Sequence, residues 1–178
     1  MNSITICRLS EENFDENSFD DFIRYQESSE CWRWIDGSYK PIPGSYIKDW
    51  SLEQRRHYAR TIIDGIRSDC FGYAAFIDGR VAGHIFLSKQ KFGSRNQYIL
   101  LKMFHISAPY RQLGIGRKLF SLACTDARSI GAEKLYISAN HTRESQEAYR
   151  RLGCTYAEEI DSKLAAAEPQ DIQMEYIL

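Results

Sequence analysis

Two hydrophobic rhythms divide the chain. Short apolar runs between turn residues point to strands, and apolar positions at three- and four-residue steps point to helices. Residues 3–9 read as a short first strand. Residues 71–77 and 80–88 are strand runs around Asp78-Gly79, a pair suited to a two-residue hairpin turn. Residues 98–106 form a long apolar strand and 135–139 a short one, and 154–160 and 172–178 are the closing strands. Ser10 is placed to cap a helix to about residue 25, with Phe14, Phe22 and Tyr25 on its apolar side. Ser51-Leu52-Glu53-Gln54 fits a capping box, and a helix to residue 67 follows through Leu52, Ala59, Ile62, Ile63 and Ile66. Residues 116–130 are amphipathic through Leu119, Phe120, Ala123 and Ala127 and stop at Gly131. Residues 143–152 form a further helix closed by Gly153, and 89–94 read as a polar loop. Residues 27–50 follow neither rhythm. They hold Trp32, Trp34, Trp50, Tyr39, Tyr46 and the turn Pro41-Ile42-Pro43-Gly44.

The resulting order, β-α-α-β-β-β-α-β-α-β-β, is a mixed α/β layout of about seven strands and four helices. The hairpin makes the early strands antiparallel. A helix links residues 98–106 to 135–139, so those two strands are parallel through a right-handed crossover. One domain over residues 1–178 is expected from the length.

Composition removes several partners. The net charge is −1, which argues against a nucleic-acid partner. No apolar run approaches the roughly 20 residues needed to cross a bilayer. The start, Met1-Asn2-Ser3-Ile4, lacks the pattern of a secretory signal. Cys7, Cys31, Cys70, Cys124 and Cys154 are odd in number and widely spaced, without a C-x-x-C pair. They suggest neither a disulfide framework nor a metal site, and fit reduced thiols in a cytoplasm.

The informative chemistry is Pro109-Tyr110-Arg111-Gln112-Leu113-Gly114-Ile115-Gly116, between the strand ending at Ile106 and the following helix. A glycine turn opening a helix presents backbone N–H groups with no carbonyl partner, and Arg111 adds forked donors beside them. This is an anion site. A dinucleotide turn needs a third glycine, but Leu119 stands there, and no G-K-[S/T] ends the turn as in a P-loop.

The remaining pattern, Ile106-Ser107-Ala108-Pro109-Tyr110-Arg111-Gln112-Leu113-Gly114-Ile115-Gly116, resembles the coenzyme A turn of the GNAT superfamily of N-acetyltransferases. The resemblance covers roughly residues 81 to 178 in motif and element order. It implies a GNAT-like, mostly antiparallel sheet whose parallel central pair splays at the coenzyme site. Backbone groups of Phe104 and Ile106 would then hydrogen-bond the pantetheine arm. The amides of Arg111, Gln112, Leu113, Gly114, Ile115, Gly116 and Arg117 would hold the pyrophosphate. It also implies acetyl-CoA as acetyl donor, without a metal. Tyr149, in Ala148-Tyr149-Arg150-Arg151-Leu152-Gly153-Cys154, looks like the family tyrosine near the coenzyme sulfur and would supply the catalytic proton to the leaving thiolate.

Other positions stay open. Asn140 either reaches the pantetheine arm or caps the next helix. Ser145 shares a helix face with Tyr149 and either contacts the coenzyme or allows close packing. Many family members carry a glutamate four residues before the position of Ile106, where this chain has Lys102. Lys102 either pairs within the protein or attracts an anionic group on the acceptor. His84 and His105 are candidate bases or core histidines. The aromatic segment with Trp32 and Trp34 is an acceptor wall or a cover over the sheet. No cysteine has a sequence-near histidine to activate it, which favours direct attack over a covalent acetyl-enzyme. The expected activity is acetyl transfer to a primary amine on a small molecule or peptide, with a homodimer as a possible assembly. The rivals are an acyl-CoA-binding sensor without catalysis and a nucleotide-dependent oxidoreductase.

Overall fold

The computed structural model describes residues 3–178; the part of the signal-peptide reading that falls on Met1 and Asn2 lies outside them. The elements run β1 (Thr5–Arg8), β2 (Gln26–Ile35), β3 (Ser38–Lys48), α1 (Leu52–Arg67), β4 (Cys70–Ile77), β5 (Arg80–Phe92) and β6 (Tyr98–Ile106). A 3-10 turn at Ala108–Tyr110 leads to α2 (Ile115–Ser129), β7 (Lys134–Ala139), α3 (Arg143–Leu152), β8 (Thr155–Tyr156), α4 (Ser162–Ala167) and β9 (Ile172–Ile177). Seven strands form one sheet in the order β1-β4-β5-β6-β7-β9-β8, and β2 and β3 pair separately. Within the seven-stranded sheet, β6–β7 is the parallel pair and the other neighbours are antiparallel. This is the mixed α/β architecture read from the sequence.

Two hydrophobic layers sandwich the sheet. On one face Ile115, Leu119, Phe120, Ala123 and Ala127 of α2 pack on Ile85, Leu87, Ile99 and Ile137. On the other, Ala59 and Ile62 of α1 join Phe14, Phe19, Phe22 and Trp50 over Ala74, Phe86 and Met103. The capping box forms as read: Gln54 N donates to Ser51 Oγ at 3.2 Å, and Ser51 N to Gln54 Oε1 at 2.9 Å. Such caps contribute about 1 kcal/mol. Gly131 and Gly153 follow α2 and α3 in the left-handed conformation, also as read.

Four local expectations are corrected. Residues 10–25 form successive turns instead of a helix. Short polar side chains there capture the N–H groups a helix would use: Asp15 N donates to Ser18 Oγ, Asn17 N to Asp15 Oδ1 and Ser10 N to Asn13 Oδ1. Phe14, Phe19 and Phe22 still bury against the sheet. The segment read as irregular, 27–50, is the β2–β3 hairpin, turned by Asp36 (φ 49°) and Gly37 (φ 78°). Pro41 and Pro43 sit within β3 opposite Trp32 and Glu30. Strand β5 continues through most of the expected polar loop, to Phe92. The expected strand at 154–160 shrinks to Thr155–Tyr156, and α4 follows, with Asp161 Oδ1 accepting from Lys163 N and Leu164 N.

Candidate active site

The centre of the sheet is built to open. In β5–β6, Phe86 pairs with Met103 but Leu87 pairs with Leu101, so Lys102 is an extra, bulged residue. Bulges bend a strand and sharpen its twist. Parallel pairing of β6 with β7 ends one residue earlier, at Leu101 opposite Ile137. Beyond it β6 runs on to Ile106 and β7 to Ala139 without pairing to each other.

The direction of the exposed backbone follows from alternation. Ser107 N donates to Ala82 O at 2.9 Å, so Ser107 faces β5. Successive strand residues turn their polar groups to opposite sides. Phe104 and Ile106 therefore present theirs to the gap on the β7 side. Tyr149, on α3, stands across that gap with its ring 6.3 Å from the Phe104 ring. Burial raises the Tyr149 phenol above its ordinary value, so it keeps its proton at neutral pH.

At the end of β6 the chain enters the glycine turn. Gln112 (φ 65°) and Gly114 (φ 77°) are left-handed, and Gly114 caps α2 without any side-chain hydrogen bond. A Cβ on Gly114 would meet nothing within 4 Å. The N-terminus of α2 thus has open space beside Gly114 and no side-chain cap, an arrangement that fits a pyrophosphate. Leu113 is exposed at the turn, whereas Ile115 is anchored in the core. Arg117 and Gly116 lie on the first turn of α2, and Arg117 joins Arg128 and Arg151 along a groove between α2 and α3. Arg111 departs from the expectation: Nε donates to Ile106 O at 3.2 Å and Nη2 to Tyr25 O at 2.6 Å. These bonds make it a clamp between the end of β6 and the start of the hairpin, in place of a free anion donor.

That clamp belongs to a bridge across the gap. Ile23 N donates to Ser107 Oγ at 3.0 Å, and Ala108 N to Ile23 O at 2.9 Å, at the β6 end. At the β7 end Gln26 Nε2 donates to Thr142 Oγ1 at 2.7 Å and Ser145 Oγ at 3.2 Å. Asn140 Nδ2 donates to Tyr46 Oη at 3.0 Å, and Asn140 Oδ1 accepts from Thr142 N at 3.1 Å. Asn140 and Ser145 therefore hold the hairpin over the gap, and Asn140 also supports the start of α3.

The remaining candidates separate. Trp32 stacks under Arg150, 4.2 Å from its ring centroid, and the exposed Trp34 packs on Tyr39, which touches Tyr156. Both lie on β2 and pack toward the C-terminal half of α3 and β8. Trp50 and Tyr46 are the aromatics beside the gap: Trp50 contacts His105 at 4.9 Å and Tyr58 at 4.5 Å. Lys102 leans the other way, over β5, with Nζ 3.8 Å from Cys70 Sγ. His84 is fully enclosed against Phe19 and Phe22, and burial pushes its pKa down to about 3. His105 Nδ1 lies 3.4 Å from His84 Nε2, and burial with the nearby Arg24 charge holds it well below its ordinary value. Both histidines belong to the aromatic core and stay neutral. Burial raises the thiols of Cys124 to about 11 and Cys154 to about 12, so neither is a ready nucleophile.

Asp171 was missed in the sequence, where an acidic residue ahead of a strand carries no signal. It immediately precedes β9, whose Ile172 pairs with Ala139, the last residue of β7. Its carboxylate therefore stands at the carboxyl end of β7, within electrostatic reach of Tyr149, Tyr46 and Lys48. Burial, reinforced by Glu168, pushes its pKa up to about 6.

A parallel pair splayed beside a glycine turn and a facing tyrosine defines an acyl-CoA-type transferase site. The model of the Acetyltransferase (GNAT) family matches residues 14–154, and the chain belongs to that family of acetyltransferases. Among solved structures it is similar to a nourseothricin acetyltransferase, with TM-score 0.73, 20% identity and 98% of each chain covered. It is also similar to a protein assigned as a streptothricin acetyltransferase, from Bacillus anthracis str. Ames in complex with acetyl coenzyme A. That match has TM-score 0.69 and 18% identity, covering 99% of this chain and 98% of the other. A third is PaiA N-acetyltransferase from Thermoplasma acidophilum in complex with coenzyme A, with TM-score 0.61, 20% identity and 99% of each chain covered. No curated protein matches the sequence. No helix among the described residues is long and apolar enough to cross a membrane.

Proposed function

We propose that this protein transfers an acetyl group from acetyl-CoA to a primary amine by direct attack within a ternary complex. One observation carries the reading. The β6–β7 pairing ends at Leu101 and Ile137, leaving the β7-facing edge of Phe104 and Ile106 without a strand partner immediately ahead of the α2 amides. An extended pantetheine arm completes such an edge like an added strand. The diphosphate is then received by the amides from residue 111 to 117, with Arg117 at the start of the α2–α3 groove.

Acetyl-CoA supplies the activated acyl group, and the chain's residues manage two protons. Asp171 takes a proton from the acceptor ammonium, so that neutral nitrogen attacks the thioester carbonyl carbon. As the carbon–sulfur bond breaks, the nitrogen loses its second proton to solvent, Tyr149 gives its proton to the sulfur, and solvent restores the phenol. The acceptor enters under the hairpin beside Tyr46 and Trp50. The same reading takes residues 1–178 as one domain working in the cytoplasm, on a small-molecule or peptide amine.

Thiol release from acetyl-CoA, followed across a panel of amines, tests this. Amine-dependent release at rates well above hydrolysis is expected. Tight acetyl-CoA binding with no release for any amine would replace the enzyme by a sensor, the reading that Lys102 at the usual glutamate position favours.

A further inference from the structure

The bridge over the gap carries an unusual charge. Arg24 is only 8% exposed. Among the described residues its one hydrogen bond runs from Nη1 to Gln26 Oε1 at 2.9 Å, and its buried Nε has no partner. The groups acting on it most strongly, Arg111, Tyr46, Tyr149 and Tyr58, include no carboxylate. Its guanidinium lies 5.8 Å from the Trp50 ring centroid, a contact that offsets part of the burial. A buried guanidinium without a counter-ion is strongly unfavourable, and folds keep one where something else supplies the anion.

Its place and its free edge say which anion. Residues 23 and 26 are tied to opposite sides of the gap, through Ser107 and Ala108 on one side and Thr142 and Ser145 on the other. Arg24 is thus held over the opening, within electrostatic reach of the Tyr149 hydroxyl. With Nη1 occupied by Gln26, the Nε–Nη2 edge is unpartnered. That edge presents two parallel N–H donors, the fork that matches both oxygens of a carboxylate. Asp171 provides the opposite pole, also acting on Tyr149. A cation and an anion flanking one reaction point complement a molecule with both an ammonium and a carboxylate.

We propose that Arg24 binds a carboxylate on the acceptor, and that the acceptor is an amino acid or another amine bearing a carboxylate. The proposal rests on the acetyl-transfer reading and narrows its substrate class. Lys102, the cation considered for this role from the sequence, points toward Cys70 instead.

Paired acceptors test it in the wild-type protein: L-lysine against cadaverine, L-histidine against histamine, L-phenylalanine against phenethylamine. Thiol release is expected to favour the carboxylate member of a productive pair by roughly 30-fold or more in kcat/KM. Arg24→Lys and Arg24→Met should bring the ratio of kcat/KM between the two members of a pair toward one. Equal kcat/KM within every productive pair overturns the proposal and leaves acetyl transfer standing. An equal loss for both members in the Arg24 variants also overturns it, placing the guanidinium at the acyl oxygen or in the fold. If no amine releases thiol, the transfer reading fails separately. Propionate titrated into CoA-saturated protein carrying Trp32→Phe and Trp34→Phe then decides the site. Saturable quenching of Trp50 that Arg24→Lys weakens supports the anion site, and its absence overturns it.

Discussion

Replacing Asp171 by Asn removes a charge and keeps the shape of the side chain. Burial lifts this carboxyl from the ordinary 3.8 to about 6, so the folded protein holds the anion against its preference. The sign follows by linkage. Between about pH 4 and 6 the folded state binds more protons than the unfolded state, and stability falls as pH rises through that window. Above about pH 6 the full cost is present. Roughly two pH units at 1.36 kcal/mol each set an upper bound of about 3 kcal/mol, and residual solvent contact reduces it toward 1. Asp171→Asn should therefore raise the melting temperature at pH 7.5 by about 2–10 °C. The gain should disappear by about pH 4, where the wild-type carboxyl is already protonated. The same substitution should lower kcat/KM by about 10²–10⁴-fold, the usual worth of a general base. Wild-type kcat/KM should fall as pH drops through about 6, a limb the variant lacks. Calorimetric melting and thiol-release kinetics across pH check both halves. A variant that is no more stable at pH 7.5 and turns over normally would refute the reasoning.

Tyr149→Phe keeps the ring against Phe104 and should lower kcat by about 10²-fold at unchanged CoA affinity, because only the proton is lost; normal turnover removes Tyr149 from the chemistry. Gly114→Ala and Gly37→Ala share a left-handed backbone and open surroundings, so each should cost about 1 kcal/mol in denaturant unfolding. Only the Gly114 variant should weaken CoA binding, by about tenfold, since its methyl adds bulk at the N-cap of α2; equal CoA affinities would place the diphosphate elsewhere. Gly72→Ala would set a Cβ 2.2 Å from Ile85 O in the sheet centre, and a stability loss of about 2–4 kcal/mol is expected; an unchanged melting temperature would contradict the packing.

The proposed coenzyme side of the site was readable because its chemistry is local. The turn from Arg111 to Gly116, the strand ahead of it and the helix behind it are contiguous, and α3 carries Tyr149 close to its own capping glycine. The acceptor side is assembled from distant segments. Arg24 meets Trp50, and Asp171 approaches Tyr149 and Tyr46, only after the sheet has formed. The hairpin did carry a signal in Asp36-Gly37, the same dipeptide as Asp78-Gly79, but Pro41 and Pro43 obscured the second strand. The turns at 10–25 escaped detection because helical spacing of Phe14 and Phe22 coexists with Asp15, Asn17 and Ser18, whose side chains favour turns. The bulge at Lys102 depends on the mismatch between β5 and β6, which neither strand reveals alone.

Amide hydrogen exchange resolved by residue, with and without coenzyme A, tests the central claim most directly. The account predicts that the amides of Phe104 and Ile106 and those at the start of α2 gain protection together when coenzyme A is added. Protection confined to other surfaces, with Phe104 and Ile106 unchanged, would contradict a coenzyme seated between β6 and β7.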